Sequence, residues 1–142
     1  MREILFRGKS FHTKEWVEGY LGIEVPDELV IQQFSFDDYF NSDCIDQHRV
    51  KPETVGQYTG LCDKNGKKIF EGDIVQYELH DIRNRAVIKY GAPKEDSFCY
   101  GWYLDDNNGN TAFLLCKNWI KNYNCQIIGN IHNNPELIGG NK

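Results

Sequence analysis

Glycine punctuation is the feature that most narrows what this chain can fold into. Gly56, Gly60, Gly66 and Gly72 stand four, six and six residues apart, whereas a helix needs roughly 12 residues to be even marginal in water by itself. Only short extended segments fit between such breaks. Asp63-Lys64-Asn65-Gly66 carries the Asn-Gly signal of a tight hairpin, because both residues tolerate the left-handed backbone of that turn. Tyr58-Thr59 is then placed to pair across it with Ile69-Phe70. Downstream, Asp73–Leu79, Arg85–Tyr90, Phe98–Leu104 and Gln126–Ile131 are rich in β-branched and aromatic residues and bounded by polar turns. In the first of these, alternation puts Val75, Tyr77 and Leu79 on the apolar face and Ile74, Gln76 and Glu78 on the other. The expectation is one antiparallel, barrel-like sheet built from these four segments. A parallel βαβ architecture is excluded, since it requires long amphipathic helices between strands.

Glu3–Arg7, Lys14–Leu21 and Leu29–Phe34 are expected as strands at the N-terminal side. Ser35–Gln47 keeps no steady period and reads as an irregular acidic excursion with a short helical turn. Thr111–Leu115 is ambiguous, Lys117–Tyr123 reads as a short helix, and Asn133-Asn134-Pro135 stops regular structure. A chain of 142 residues buries on the order of two thirds of its unfolded surface, enough for a core without disulfides or metal. The expected organisation is a single domain over 1–142. Within it lie N-terminal strands and the acidic excursion (1–49), a barrel-forming core (50–138) and a frayed tail (139–142).

Charge excludes more than it reveals. Sixteen basic and 21 acidic residues leave a net charge of −5, so the electrostatic footprint that dominates nucleic-acid affinity is missing. Glu24, Asp27, Glu28, Asp37, Asp38, Asp43 and Asp46 fall in one stretch without a Lys or Arg. No apolar run is long enough for a membrane span. Met1 to Arg7 is too short and too charged to read as a secretory signal. Cys44, Cys62, Cys99, Cys116 and Cys125 show no close ligand spacing and are odd in number, which points to a reducing cytoplasm and thiols that pack as small apolar groups.

Several chemistries are set aside on spacing. A phosphate loop needs four residues between its glycines and a hydroxyl after the lysine; Gly60 and Gly66 enclose five, and Lys68 stands in the hydroxyl's place. A calcium loop starting at Asp63 would have its glycine fourth rather than sixth and a cation, Lys67, at a ligand position. His12, His48, His80 and His132 are far apart. Cys44 and His48 would share a face on a helix, and zinc would need Cys62 or another ligand to join them. No nucleophile-elbow pattern occurs. No catalytic residue, cofactor site or metal site is expected.

The block Val50-Lys51-Pro52-Glu53-Thr54-Val55-Gly56-Gln57-Tyr58-Thr59-Gly60-Leu61-Cys62-Asp63-Lys64-Asn65-Gly66, continued by Ile69-Phe70-Glu71-Gly72-Asp73-Ile74-Val75, closely resembles the YopX family of phage and prophage proteins. Arg2-Glu3-Ile4 with Phe6-Arg7 resembles the family's opening. Ile127-Ile128-Gly129-Asn130-Ile131 with Asn133, Pro135, Glu136 and Leu137 resembles its close. The regions 12–49 and 80–125 are variable filler between these blocks. Cys62 stands where the family more often has a polar residue. The resemblance implies a phage or prophage setting and a β-rich fold containing an SH3-like barrel with decorating N-terminal strands; it implies no mechanism. Together these features lead to an expectation of a cytoplasmic, non-enzymatic interaction module. It would self-associate or bind a host or phage protein, with a nucleic-acid-associated accessory as the alternative. Its partner surface is expected at Phe36, Asp37, Asp38, Tyr39 and Phe40, where aromatics and acids interleave and the apolar period switches from strand-like to helix-like.

Overall fold

The structure, a computed structural model, describes residues 4–24, 28–36, 42–91, 101–105 and 111–138. The fold is mainly β, with two antiparallel sheets, and the chain forms two compact units, residues 1–58 and 59–142.

In the first unit β1 (Phe6–Lys9), β2 (Trp16–Glu24), β3 (Glu28–Phe36) and β4 (Ser42–Arg49) follow one another as an antiparallel meander. The start of β5 (Gly56–Cys62) pairs on the other side of β1, with Phe6 opposite Gln57 and Arg7 opposite Gly56. Between β1 and β2 the Ser10 hydroxyl accepts from the His12 and Thr13 N–H groups (both 3.2 Å), which closes the reversal. Among the described residues Leu5, Val30, Ile31, Val50 and Tyr58 are the buried apolar positions of this unit. Gly8 permits the approach of Val50, because a Cβ there would lie 2.9 Å from the valine Cβ.

β4 corrects the expectation for Ser35–Gln47 over residues 42–47, while 37–41 lie outside the described residues. Far from being irregular, Ser42–Arg49 pairs with β3 over Phe36↔Ser42 to Val30↔Arg49, with a register shift between Gln33 and Phe34. The shift leaves one extra residue, Ile45, on β4, so an alternation counted along 42–49 breaks there. Cys44 and His48, four apart on a strand, are separated by about 13 Å along the backbone, too far to ligate one ion.

In the second unit β5 runs on beside β6 (Lys68–Phe70). The five-stranded sheet is built from β7 (Asp73–Leu79), β8 (Ile82–Gly91), β9 (Gly101–Asp105), β10 (Thr111–Leu114) and β11 (Gln126–Asn130), in the order β10-β9-β8-β7-β11. The expected segments therefore do form one antiparallel sheet, although 98–100 lies outside the described residues. Val75 and Tyr77 are buried and Leu79 packs against them, as alternation predicts; Ile74 on the opposite face is also buried, next to its cross-strand partner Val87.

The barrel expectation is not met by closure. Among the described residues the sheet stays open, with β10 and β11 at its two edges. The reason is α1 (Lys117–Asn122), whose Trp119 and Ile120 are buried in the cluster formed by Ile69, Val75, Tyr77, Ala86, Ile88 and Leu104. A helix covers the apolar face that a barrel would cover with its own strands. Tyr77 and Trp119 meet in a tilted pair, 5.0 Å between ring centroids at 60°, which anchors the helix through its largest side chain.

Candidate functional site

The site is assembled around one carboxylate. Asp63 lies at the end of β5, 6% exposed, in the turn expected from Asn65-Gly66. Its Oδ1 accepts from the N–H of Asn65 (2.8 Å) and of Lys67 (3.0 Å), while Oδ2 accepts from the N–H of Ile127 on β11 (2.9 Å). The first two bonds hold the turn; Gly66, at φ +83°, supplies the left-handed step. The third ties the hairpin to a strand 64 residues away. Next to it the Lys64 N–H donates to the Cys125 carbonyl (2.9 Å). A buried charge is tolerated here because it accepts three backbone hydrogen bonds.

The clasp brings Lys64 to the helix. Lys117 and Lys121, one turn apart on α1, project from the same face. The three lysines, with Asn118, Asn124 and Ile120, line a cavity of about 670 Å³ whose other wall is Gly60 to Asp63. This volume is in the range of ordinary ligand pockets. The helix end is fixed so that this wall holds its shape. Asn124 takes φ +53°, its amide donates to Glu78 Oε1 (3.2 Å), and the Glu78 N–H donates to the Tyr123 carbonyl (2.9 Å).

Chemically the pocket is a cationic recess. It contains no hydroxyl and no imidazole, and its carboxylate already has three of its roughly four lone-pair positions occupied. Cys125 lies behind the clasp, fully buried. Burial, and then the nearby Asp63 charge, push its thiol up to about 12, so it stays protonated and inert. Cys62 and Cys116 are exposed and form no disulfide. His12, His48, His80 and His132 sit on separate turns and strands. Among the described residues no three His, Cys, Asp or Glu side chains converge as a metal site, and no helix is long and apolar enough to cross a membrane.

Of the expected partner surface, Phe36 ends β3, with its backbone opposite Ser42; Asp37, Asp38, Tyr39 and Phe40 lie outside the described residues. Nearby, Asp46 is 56% exposed and faces His48 at 3.2 Å. Sequence reasoning missed the lysine pocket. Its one local signal was the i, i+4 spacing of Lys117 and Lys121, and nothing along the chain tied either to Lys64.

Comparison with known proteins bears on the fold and the family. A family model described as "YopX protein" matches residues 5–139. A solved structure, the crystal structure of protein EF1440 from Enterococcus faecalis, is similar at a TM-score of 0.60 and 23% identity. The match covers 96% of this chain and 99% of that one, and at this identity it speaks for the fold alone. No curated protein matches.

Proposed function

Because the chain belongs to the YopX family, we propose that it is a non-enzymatic interaction module, a small phage- or prophage-encoded protein that acts by holding another protein. The observation that carries this reading is the recess in residues 59–142. It combines concave shape and concentrated charge with a lining whose one thiol, Cys62, has no imidazole beside it to act as its base. Charged side chains placed without a reacting pair suit recognition rather than turnover.

Self-association belongs to the same reading. Tyr20, Leu21 and Ile23 of β2 are exposed, Ile23 by 73%, and surplus apolar surface of this kind favours contact between copies. Light scattering tests it: a mass of twice 16.5 kDa or more at high concentration is expected, and a clean monomer refutes it. The acidic, aromatic stretch at Phe36–Phe40 is held as a second contact. Tyr39→Ala combined with Asp38→Lys should abolish capture of a partner while leaving the melting temperature nearly unchanged.

The experiment for the recess compares tagged wild type with Asn118→Trp, which fills the pocket from an exposed helix position. Both are used as bait in extracts of cells carrying the phage. A captured protein lost from the plugged variant and retained by a variant altered elsewhere on the surface supports the reading. Equal capture by both removes the pocket from it. A nucleic-acid-associated role, the alternative, would show as a salt-sensitive shift of labelled DNA at micromolar protein.

A further inference from the structure

We propose that the recess between the Asp63 turn and α1 is a receptor for an acidic peptide segment, in which two or more carboxylates of the partner reach the ammonium groups of Lys64, Lys117 and Lys121. This rests on the reading of the protein as an interaction module and names the chemistry of what it holds. Three observations carry it. Three lysines from two elements more than fifty residues apart in sequence line one cavity. The cavity's one carboxylate, Asp63, is committed to the Asn65, Lys67 and Ile127 N–H groups, which leaves the ammonium groups as the charges available to a ligand. The cavity, at about 670 Å³, has room for a few side chains rather than for a single small ion.

The nature of the lining separates an acidic peptide from other anions. No aromatic side chain lines the recess, so it lacks the platforms on which single-stranded nucleic acid stacks its bases. Residues 59–142 carry ten basic and ten acidic residues and so no net charge. Residues 1–58 carry six basic and eleven acidic, and hold the whole net charge of −5. That field repels a long polyanion, whereas a short run of two or three carboxylates meets mainly the local lysines. The cations are lysines and none is an arginine. Ammonium groups on flexible stems act as point charges that accept carboxylates in varied geometry, without the planar fork that selects a phosphate bidentately.

The probe is a labelled peptide with the sequence of residues 35–47 of this chain, its cysteine changed to serine, which carries four aspartates and no basic residue. Its control has the four aspartates replaced by asparagine. Fluorescence anisotropy with full-length protein should show binding of the acidic peptide. We expect it to be roughly tenfold or more weaker for Lys117→Glu with Lys121→Glu, and to weaken as salt rises from about 0.05 to 0.5 M. Lys117→Arg with Lys121→Arg should bind like wild type. So should Lys14→Glu with Lys51→Glu, which makes the same change in net charge at residues that neither line the pocket nor hold its walls. Circular dichroism of each variant identifies any that has lost its fold, and the arginine pair then carries the comparison. Equal binding of the asparagine peptide overturns the charge inference while leaving the module reading in place. No binding of the acidic peptide, or tighter binding of a single-stranded oligonucleotide at the same lysines, also overturns it. Failure of the Asn118→Trp plug to affect capture bears on the module reading instead, so the two failures are distinct.

Discussion

Replacing Asp63 by Asn isolates what the clasp contributes, because it preserves shape and removes charge. The amide oxygen can stay where Oδ1 now accepts from Asn65 and Lys67, at 2.8 and 3.0 Å. The amide nitrogen then occupies the position of Oδ2 and presents a donor to the Ile127 N–H, itself a donor now bonded at 2.9 Å. One hydrogen bond to a charged group is lost, about 1.5–3 kcal/mol, and the other two weaken to neutral strength, about 0.5 kcal/mol each. The sum is a destabilisation of about 3 kcal/mol. At about 2–4 °C per kcal/mol for a chain of this length, the melting temperature should fall by about 6–12 °C. Thermal unfolding followed by circular dichroism measures it. The same variant should lower the pKa of the Cys125 thiol, since the Asp63 charge is one of the two causes that raise it. A melting temperature within about 1 °C of wild type, well below the expected change, would show that the three bonds carry no net stability and refute the reasoning.

Further tests reach other parts of the fold. In the native protein an alkylating reagent at neutral pH should modify Cys62 and Cys116, which are exposed, and spare buried Cys125; mass spectrometry of peptides decides this. Cys125 also sets a pH dependence. Its thiol titrates near 9.0 in the unfolded chain and about 12 in the fold, so its contribution is complete below pH 9. Above that the unfolded state loses its proton first, and stability falls by about 1.4 kcal/mol per pH unit until the folded thiol titrates too. Denaturant titrations at pH 8 and 10 should show this fall in wild type in excess of Cys125→Ala, and parallel curves would count against it. Gly66→Ala should cost about 1 kcal/mol through backbone conformation alone, because φ is +83° and nothing lies near the new Cβ. Gly66→Asn should cost less, and the reverse order in chemical denaturation would contradict the turn assignment. Leu104→Ala, which empties a fully buried position on β9, should cost about 2–5 kcal/mol by the same measurement.

What the sequence determined by itself is the part of the structure governed by local rules. Asn65-Gly66 specified its turn because few other residues accept a left-handed backbone there, and φ at Gly66 is +83°. Val75, Tyr77 and Leu79 marked one core face of β7 through alternation, and Lys117–Tyr123 marked a helix that appears as Lys117–Asn122. The glycine-dense block also carried the family, which the match over residues 5–139 establishes. Other features depended on partners distant along the chain. Ser42–Arg49 becomes a strand because β3 offers an edge to pair with, and the extra residue at Ile45 breaks its alternation. The sheet stays open because Trp119 and Ile120 cover its apolar face, and the short helix that holds them gives no sign in sequence of where it will dock. The lysine recess belongs to this second kind. Lys64 meets Lys117 and Lys121 only because Asp63 bonds to Ile127 and the Lys64 N–H to the Cys125 carbonyl. Backbone groups that every residue possesses make those contacts, so no pattern of residue types could announce them.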